Sequence, residues 1–188
     1  MTLFIDGGGF CSFWYSLGAL KNKRFEYIEC VSSGAIAASL FVCMDKINLI
    51  HILKVCMKSN GFFCGTDTVV YKILDTLLPI DAHHKANKKI GILIYDPFAF
   101  RTRVVSHWET REKLIQCVVA STHIPFVTSW YFVNPVYKCI DGGFLLDTSK
   151  YKRRIASPYY SIFEQFAPIS PRRAIELFRC GNKNTIKY

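Results

Sequence analysis

A run of glycines near the start of the sequence has the composition of an anion-binding turn. Asp6 is followed by Gly7, Gly8 and Gly9, and a helix-like segment begins directly afterwards. Consecutive glycines let backbone N–H groups converge on one point at a helix N-terminus, where they can stabilise an oxyanion or a phosphate. A tight strand-to-helix turn without a ligand uses the same residues, so this turn alone does not establish chemistry.

The second candidate is a serine at the junction of a strand-like and a helix-like segment. Ser32 lies two residues before Gly34, the spacing of the nucleophile elbow G-x-S-x-G, in which small flanking residues permit a strained turn that exposes the serine hydroxyl. Cys30 occupies the position of the first glycine in that motif. The alternative is an ordinary serine N-cap, a role that Ser33 can fill while Ser32 remains the nucleophile.

The third candidate is a carboxylate beside two glycines. Asp141, Gly142 and Gly143 follow residues 137–140, which have the pattern of a strand. Glycines allow close backbone approach, and an aspartate at such a turn can act as general base toward a neighbouring hydroxyl. A plain Asp-Gly turn is the alternative. Because open α/β sheets hold their active sites where strands end, the three turns together predict one site.

The segments that must position these turns alternate between two periodicities. Residue patterns predict strands over 2–5, 25–31, 89–95, 101–106, 130–133 and 137–140. They predict helices over 10–21, 33–44, 48–57, 69–78, 110–120 and 172–179, with a glycine-containing loop at 60–66. Such alternation is typical of a mostly parallel α/β sheet. The 188 residues suffice for one core, so a single compact domain over 1–188 is expected.

Composition narrows the class of partner and compartment. Twenty-four Lys and Arg against 14 Asp and Glu leave a formal charge of +10, which favours an anionic partner. Fifteen Phe, 10 Tyr and 3 Trp suit contact with lipid, and no nucleic-acid module is recognisable. The eight cysteines form no metal-binding spacing, and no secretion signal or membrane-spanning run is visible. We therefore expect a soluble, intracellular, cytoplasmic protein with free thiols that contacts membranes peripherally.

The three turns, taken in order, resemble the patatin-like phospholipase family. There a glycine loop forms an oxyanion hole, G-x-S-x-G holds the nucleophile and D-G-G supplies the base of a Ser–Asp dyad. The resemblance extends over nearly the whole chain. Residues 106–116, 121–126 and 155–158 resemble the adiponutrin and adipose triglyceride lipase branch, in which an SHF-x-SKEELIQ segment leads to a C-x-IP motif and an ISPF strand follows the dyad aspartate.

The resemblance implies a three-layer α/β/α fold and a serine acyl hydrolase that cleaves lipid carboxylic esters, as a phospholipase A, a lysophospholipase or an acylglycerol lipase. Ser32 would attack the ester carbonyl and Asp141 would accept its proton. The backbone amides around Gly7, Gly8 and Gly9 would stabilise the oxyanion, without a metal or other cofactor.

The supporting turn residues in this scheme are Gly34, Gly142 and Gly143. The chain departs from the family pattern at Cys30, where glycine is usual, and at residues 144–148, which replace the usual D-G-G-x-x-x-N-P continuation. The implied partners are a lipid ester substrate and an anionic membrane or lipid surface, with no nucleic acid.

Two other functions fit the sequence. An α/β-hydrolase places its triad in the order serine, acid, histidine, which Ser32, Asp96 and either His107 or His123 satisfy. Asp141 follows the last histidine and cannot be the acid of such a triad. A catalytically weak or inactive protein of the same fold could instead bind anionic lipid through its positive charge and glycine loop.

Overall fold

The computed structural model describes residues 2–21, 23–59, 66–156 and 169–183. The strands are β1 (Thr2–Ile5), β2 (Tyr27–Val31), β3 (Ile90–Asp96), β4 (Arg101–Val105), β5 (Ile140–Asp141) and β6 (Arg154–Ile155). The helices are α1 (Gly9–Leu20), α2 (Ser33–Cys43), α3 (Leu49–Lys58), α4 (Thr66–Leu77), α5 (Ala82–Ala86), α6 (Arg111–Ser121) and α7 (Pro171–Lys183).

The described strands form a six-stranded sheet in the order β4-β3-β2-β1-β6, with β5 also paired to β3. β1 pairs in parallel with β2 and β6, and β2 with β3, whereas β4 and β5 run antiparallel to β3. This mixed, mostly parallel sheet with helices packed against it confirms the predicted α/β fold class. Because β1, β2 and β3 are parallel, their carboxyl ends meet at one edge of the sheet.

Alternation of side chains along the strands builds the core. Leu3, Ile28 and Ile90 are in register on neighbouring strands and join the main hydrophobic cluster with the helices. The opposite face of the sheet carries Phe4, whose ring stacks on that of Tyr151 at 4.0 Å. The loop that follows β5 therefore packs on the face of the sheet opposite the main cluster.

Two glycines set the distance between α1 and α7. A Cβ atom added to Gly18 would lie 2.0 Å from the carbonyl oxygen of Phe178, and one added to Gly181 would lie 1.9 Å from that of Tyr15. Both helices contribute buried side chains to the main core. This close crossing holds α1, and with it the glycine turn that precedes it, against the rest of the protein.

The apolar segment 130–133, predicted as a strand, is not one. Its backbone bends and its aromatic side chains are exposed. The side-chain oxygen of Asn134 accepts the N–H groups of Val136 and Tyr137, each at 3.0 Å, and folds the following residues into a turn. As a consequence the predicted strand 137–140 shortens to β5. The aromatic residues that suggested a strand form part of the surface.

The other predicted elements recur with ends shifted by up to four residues. The strand expected at 155–158 is present as β6 up to Ile155, and residues 157 and 158 lie outside the described residues, as do 60–65 of the predicted loop. The short helix α5 was not predicted. None of the described helices is long and apolar enough to cross a membrane.

The close helix crossing predicts that a Gly→Ala substitution lowers the free energy of unfolding, whereas helix propensity alone predicts that it raises it. In a free helix, Gly→Ala stabilises by about 1 kcal/mol. In Gly181→Ala the new methyl group meets the Tyr15 carbonyl, so we expect the free energy of unfolding to fall by about 2–3 kcal/mol. Urea unfolding measures it, with the exposed neighbour Asn182→Ala as the control expected to change stability by less than about 0.5 kcal/mol. A Gly181→Ala protein as stable as the wild type would contradict the close crossing.

Candidate active site

The carboxyl edge of the sheet contains a cleft of roughly 390 Å³. The turn after β1, the end of β2 and the start of the loop after β5 form its walls, and the segment that follows α6 closes one side. The sequence-predicted residues that line it are Gly7, Gly8, Gly9, Ser32, Asp141 and Gly143. The structure thus brings the three turns together, although they are far apart in sequence.

Ser32 has a backbone conformation that L-residues rarely adopt. Its φ of 54° and ψ of −130° put it in a strained region between β2 and α2. Two glycines leave the space for this turn, since an added Cβ at Gly7 would lie 2.9 Å from the Ser32 Cβ and one at Gly34 would lie 2.6 Å from the Asp6 carbonyl oxygen. The strand-turn-helix at Ser32 therefore has the geometry of a nucleophile elbow.

The neighbouring serine has a different environment. Ser32 is partly exposed and lines the cleft, whereas Ser33 is 4% exposed and begins α2. Within the described residues, the Ser33 hydroxyl is buried without a hydrogen-bond partner. Of the two hydroxyls, only that of Ser32 is open to a substrate in the cleft.

Ser121, a residue that sequence reasoning missed, fixes the Ser32 turn from behind. Its hydroxyl accepts the backbone N–H of Ser32 at 3.0 Å and donates to the carbonyl of Leu93 at 2.7 Å. Ser121 is fully buried at the end of α6. One side chain therefore ties the candidate nucleophile to β3. A serine near a helix end carries no sequence signal for this role, because the contact depends on how α6 packs on the sheet.

Strand register places Asp141 beside the serine. One edge of β3 pairs first with β2, up to Val31↔Leu93, and then with β5, from Ile94↔Asp141 onward. β4 pairs with the other edge of β3 over the same stretch. β5 consequently continues the line of β2, and Asp141 comes next to the residue that follows Val31. An added Cβ at Gly142 would lie 2.0 Å from the Leu93 carbonyl oxygen, so only glycine allows this approach.

The carboxyl group of Asp141 is perturbed by its surroundings. Burial raises its pKa to about 6. Three neighbours limit this rise because each lowers the pKa: the Ser32 hydroxyl, the Gly143 N–H, which donates to the carboxylate at 2.7 Å, and the charge of the His123 ring. The backbone N–H of Asp141 donates to the His123 carbonyl at 2.7 Å. A carboxyl group beside a serine hydroxyl, with a pKa close to neutral, is suited to proton transfer.

The glycine turn is held by an ion pair. The carboxylate of Asp6 accepts the Gly7 N–H at 3.2 Å and lies 3.5 Å from the Arg154 guanidinium on β6. Gly8, with φ 127°, and Gly9, with φ 65°, lead into α1, whose first N–H groups have no partners within the helix. Since the Gly7 amide is committed to Asp6, the amides of Gly8 and Gly9 are the better donors toward the cleft. Arg154 was not identified from the sequence.

The alternative triad does not assemble. Asp96 accepts the N–H groups of Phe98 and Ala99 in the turn after β3. His107 follows β4, which runs antiparallel, so it lies toward the amino end of β3, away from the cleft. His123 is fully buried, with Nδ1 at 2.6 Å from Asp67 Oδ2 and Nε2 at 3.1 Å from the Tyr131 carbonyl oxygen. Neither histidine is arranged to take a proton from Ser32.

A second, smaller apolar cavity of about 40 Å³ adjoins Ser32 on the helix side. Phe13, Ile36 and Val70 line it, and Ser32, Gly9 and Ile124 belong to both cavities. A short apolar group attached at the serine could therefore pass from the cleft into a smaller hydrophobic pocket.

Cys30, at the unusual motif position, is fully buried, and its Sγ contacts the Gly91 carbonyl at 3.5 Å. Burial raises the pKa of this thiol well above its ordinary value, so it is a packing residue and not a reactive one. In the described ranges no group of three or more His, Cys, Asp or Glu side chains converges as metal ligands would.

The raised pKa of Asp141 predicts a pH-dependent effect on stability. The folded protein binds this proton more tightly than the unfolded chain, whose aspartates titrate near pH 4. The stabilisation is therefore present below about pH 4 and is lost as the pH rises through about 6. Asp141→Asn carries no charge, so its free energy of unfolding relative to the wild type should increase by roughly 1–3 kcal/mol between about pH 4 and pH 7.

Urea unfolding across that pH range measures this difference. Asp147→Asn is the matched control, because Asp147 is exposed and hydrogen bonds from Ser149 lower its pKa. It should give no such rise. A stability difference between Asp141→Asn and wild type that stays constant with pH would contradict the raised pKa.

Comparison with known proteins gives distant relatives. No protein-family model matches the chain. Over 130 residues it is 28% identical to patatin-like phospholipase domain-containing protein 2 of Mus musculus. The matched region is 62% of this chain and 26% of that protein. Over 163 residues it is 24% identical to omega-hydroxyceramide transacylase of Mus musculus. This second matched region is 76% of this chain and 27% of that protein.

The chain therefore spans about a quarter of the length of the curated relatives it matches. Both matches are weak, and neither distinguishes a branch of the family. Together with the α/β fold and its mostly parallel sheet, this weak similarity supports a patatin-like family for the chain.

Proposed function

We propose that the protein is a serine acyl hydrolase that cleaves lipid carboxylic esters with a Ser32–Asp141 dyad. The observation that carries the proposal is the position of the Asp141 carboxyl, which the strand register places beside Ser32 at a strained turn that opens into the cleft. A serine hydroxyl is a weak nucleophile until a neighbouring base removes its proton. Asp141 is the base that this geometry supports.

The chain's own groups suffice for each step. Ser32 Oγ attacks the ester carbonyl carbon while its proton passes to Asp141, and the carbonyl π electrons move to the oxygen. The amides of Gly8 and Gly9 at the start of α1 stabilise the resulting oxyanion. Collapse of the tetrahedral intermediate breaks the ester C–O bond, and the leaving alkoxide takes the proton from Asp141. Water then repeats the sequence on the acyl-enzyme and releases a carboxylic acid.

The cavities around Ser32 support a lipid ester as the substrate. The apolar pocket lined by Phe13, Ile36 and Val70 has room for the first carbons of an acyl group, and the larger, more polar cleft suits the rest of a lipid ester. This arrangement supports a phospholipase A, lysophospholipase or acylglycerol lipase. Because of the motifs at 106–116 and 121–126, we place the chain nearest to the adiponutrin and adipose triglyceride lipase branch.

Acyl transfer is the second candidate function. One relative is named a transacylase, and the similarity to it covers 76% of this chain. The acyl-enzyme formed at Ser32 would pass its acyl group to an alcohol by the same steps that deliver it to water, with Asp141 taking the alcohol's proton. Product analysis with and without a long-chain alcohol acceptor separates hydrolysis from transfer.

We predict that Ser32 and not Ser33 is the nucleophile. Ser32→Ala should lose at least about a thousandfold in kcat/KM on phospholipid, lysophospholipid or triacylglycerol substrates while keeping its unfolding midpoint, because covalent catalysis needs the hydroxyl. Ser33→Ala is the control and should retain activity, since its hydroxyl is buried. A fluorophosphonate adduct mapped by mass spectrometry to Ser33 would overturn the assignment.

The base assignment is tested by a pH profile. Asp141→Asn should be nearly inactive, and the wild-type kcat/KM should fall as the pH drops below about 6, where Asp141 becomes protonated. His107→Ala should leave the profile unchanged. His123→Gln should retain catalysis with its acid limb displaced to higher pH, because the His123 charge lowers the pKa of Asp141. An active Asp141→Asn beside an inactive, folded histidine variant would favour a triad instead.

A further inference from the structure

Exposed apolar side chains surround the mouth of the cleft. We call six of them the apolar rim: Phe98, Phe100, Phe126, Trp130, Phe144 and Leu145. Their exposed fractions range from 52% for Phe144 to 82% for Phe100. A folded protein seldom leaves so many large apolar side chains together in water, and such a patch usually marks a binding surface.

The rim residues share one end of the molecule. Phe98 and Phe100 lie in the turn after β3, whose carboxyl end is at the cleft edge of the sheet. Phe144 lines the cleft and packs against Tyr95 near the end of β3, with ring centroids 5.3 Å apart. Phe126 directly follows the cleft residue Pro125, Trp130 follows Ser129, which pairs with Pro125, and Leu145 follows Phe144. The rim therefore borders the opening through which a substrate reaches Ser32.

Three rim residues carry an additional backbone cost. Phe100, Phe126 and Leu145 have φ angles of 50°, 60° and 55°, in the left-handed region that favours glycine and asparagine. Their exposed fractions are 82%, 62% and 78%. A bulky apolar residue at such a turn costs conformational energy and also exposes hydrocarbon to water. Among the described residues packing offsets little of either cost, since all three side chains are mostly exposed and only a ring contact of Phe126 with Phe132 is present. Contact with an apolar partner is the compensation that remains.

The charges beside the rim are mostly positive. In the β3–β4 hairpin and the turn at 134–139, the basic residues Arg101, Arg103 and Lys138 are exposed and Asp96 is the acidic residue. Asp96 is held in its turn by the N–H groups of Phe98 and Ala99. Arg103 also donates to the Tyr137 carbonyl at 2.8 Å, which joins the hairpin to the 134–139 turn.

We propose that the apolar rim docks on the surface of a lipid aggregate that carries anionic headgroups. Phe100, Phe126 and Leu145 enter the acyl region, while Arg101, Arg103 and Lys138 lie at the level of the phosphates. A second copy of the chain is a poorer occupant, since each copy has a net charge of +10. The delivery of substrate to Ser32 rests on the proposed function, whereas the docking itself does not require turnover.

The left-handed turns allow a variant that separates binding from folding. In the triple variant Phe100→Asn, Phe126→Asn, Leu145→Asn, each new residue tolerates the turn better than the native one. Its free energy of unfolding should therefore not fall, while its binding to vesicles of phosphatidylcholine mixed with phosphatidylserine should weaken by about tenfold or more. Co-sedimentation in the Ser32→Ala background measures binding without hydrolysis.

Ile80→Asn is the matched control. Ile80 is 88% exposed and precedes α5, which leads to the amino end of β3, opposite the cleft. It should bind vesicles as the parent does. A further variant, Arg101→Gln with Lys138→Gln, should weaken binding to the mixed vesicles severalfold and leave the weaker binding to pure phosphatidylcholine vesicles unchanged.

The outcomes distinguish docking from catalysis. When Ser32 is retained, the triple variant should turn over a soluble short-chain ester as the wild type does, but hydrolyse vesicle lipid poorly. If no ester is hydrolysed by any form, the proposed function fails while the sedimentation result still decides the docking. A triple variant that sediments with mixed vesicles as strongly as its parent would overturn the docking proposal. The proposal would also be overturned if sedimentation velocity showed that the parent is a dimer and the triple variant is not, while neither protein binds vesicles.

Discussion

Ser32 has a strained backbone conformation that costs on the order of 1–3 kcal/mol, and much of the cleft edge is arranged to maintain it. Gly7 and Gly34 leave room for the turn, and Ser121 holds the Ser32 N–H while bonding to β3. The strain turns the serine out of the β2–α2 connection and into the cleft. Parallel alignment of β1, β2 and β3 supplies the fixed frame against which a single residue can be held in this way.

The same frame determines the electrostatics of the cleft. Asp141 continues the line of β2, so its carboxyl group lies half-buried beside the serine, and its partial removal from water raises its pKa to about 6. The buried ring of His123 moderates this effect through its charge, and Asp67 and the Tyr131 carbonyl hold that ring. The protein thus accepts a destabilising carboxylate near neutral pH at the position where the proposed dyad needs a base next to the serine.

The edge that holds the cleft also has the most costly surface. Exposed Phe100, Phe126 and Leu145 occupy left-handed turns, next to a group of basic side chains. Stability would favour polar residues or glycine there. Strain at Ser32, a half-buried carboxyl group at Asp141 and apolar side chains at the rim therefore concentrate at one end of the sheet.

The sequence by itself determined the alternation of strands and helices and the three glycine-marked turns, because periodicity and glycine are local signals. It therefore predicted the α/β class and drew attention to Ser32 and Asp141. It could not distinguish the apolar run 130–133 from a strand, since exposed and buried aromatics look alike in sequence. Ser121, Arg154 and the hydrogen-bond partners of His123 became visible only in the tertiary structure. Their contacts join residues far apart in sequence, and only the register of the sheet and the packing of α6 on it bring them together.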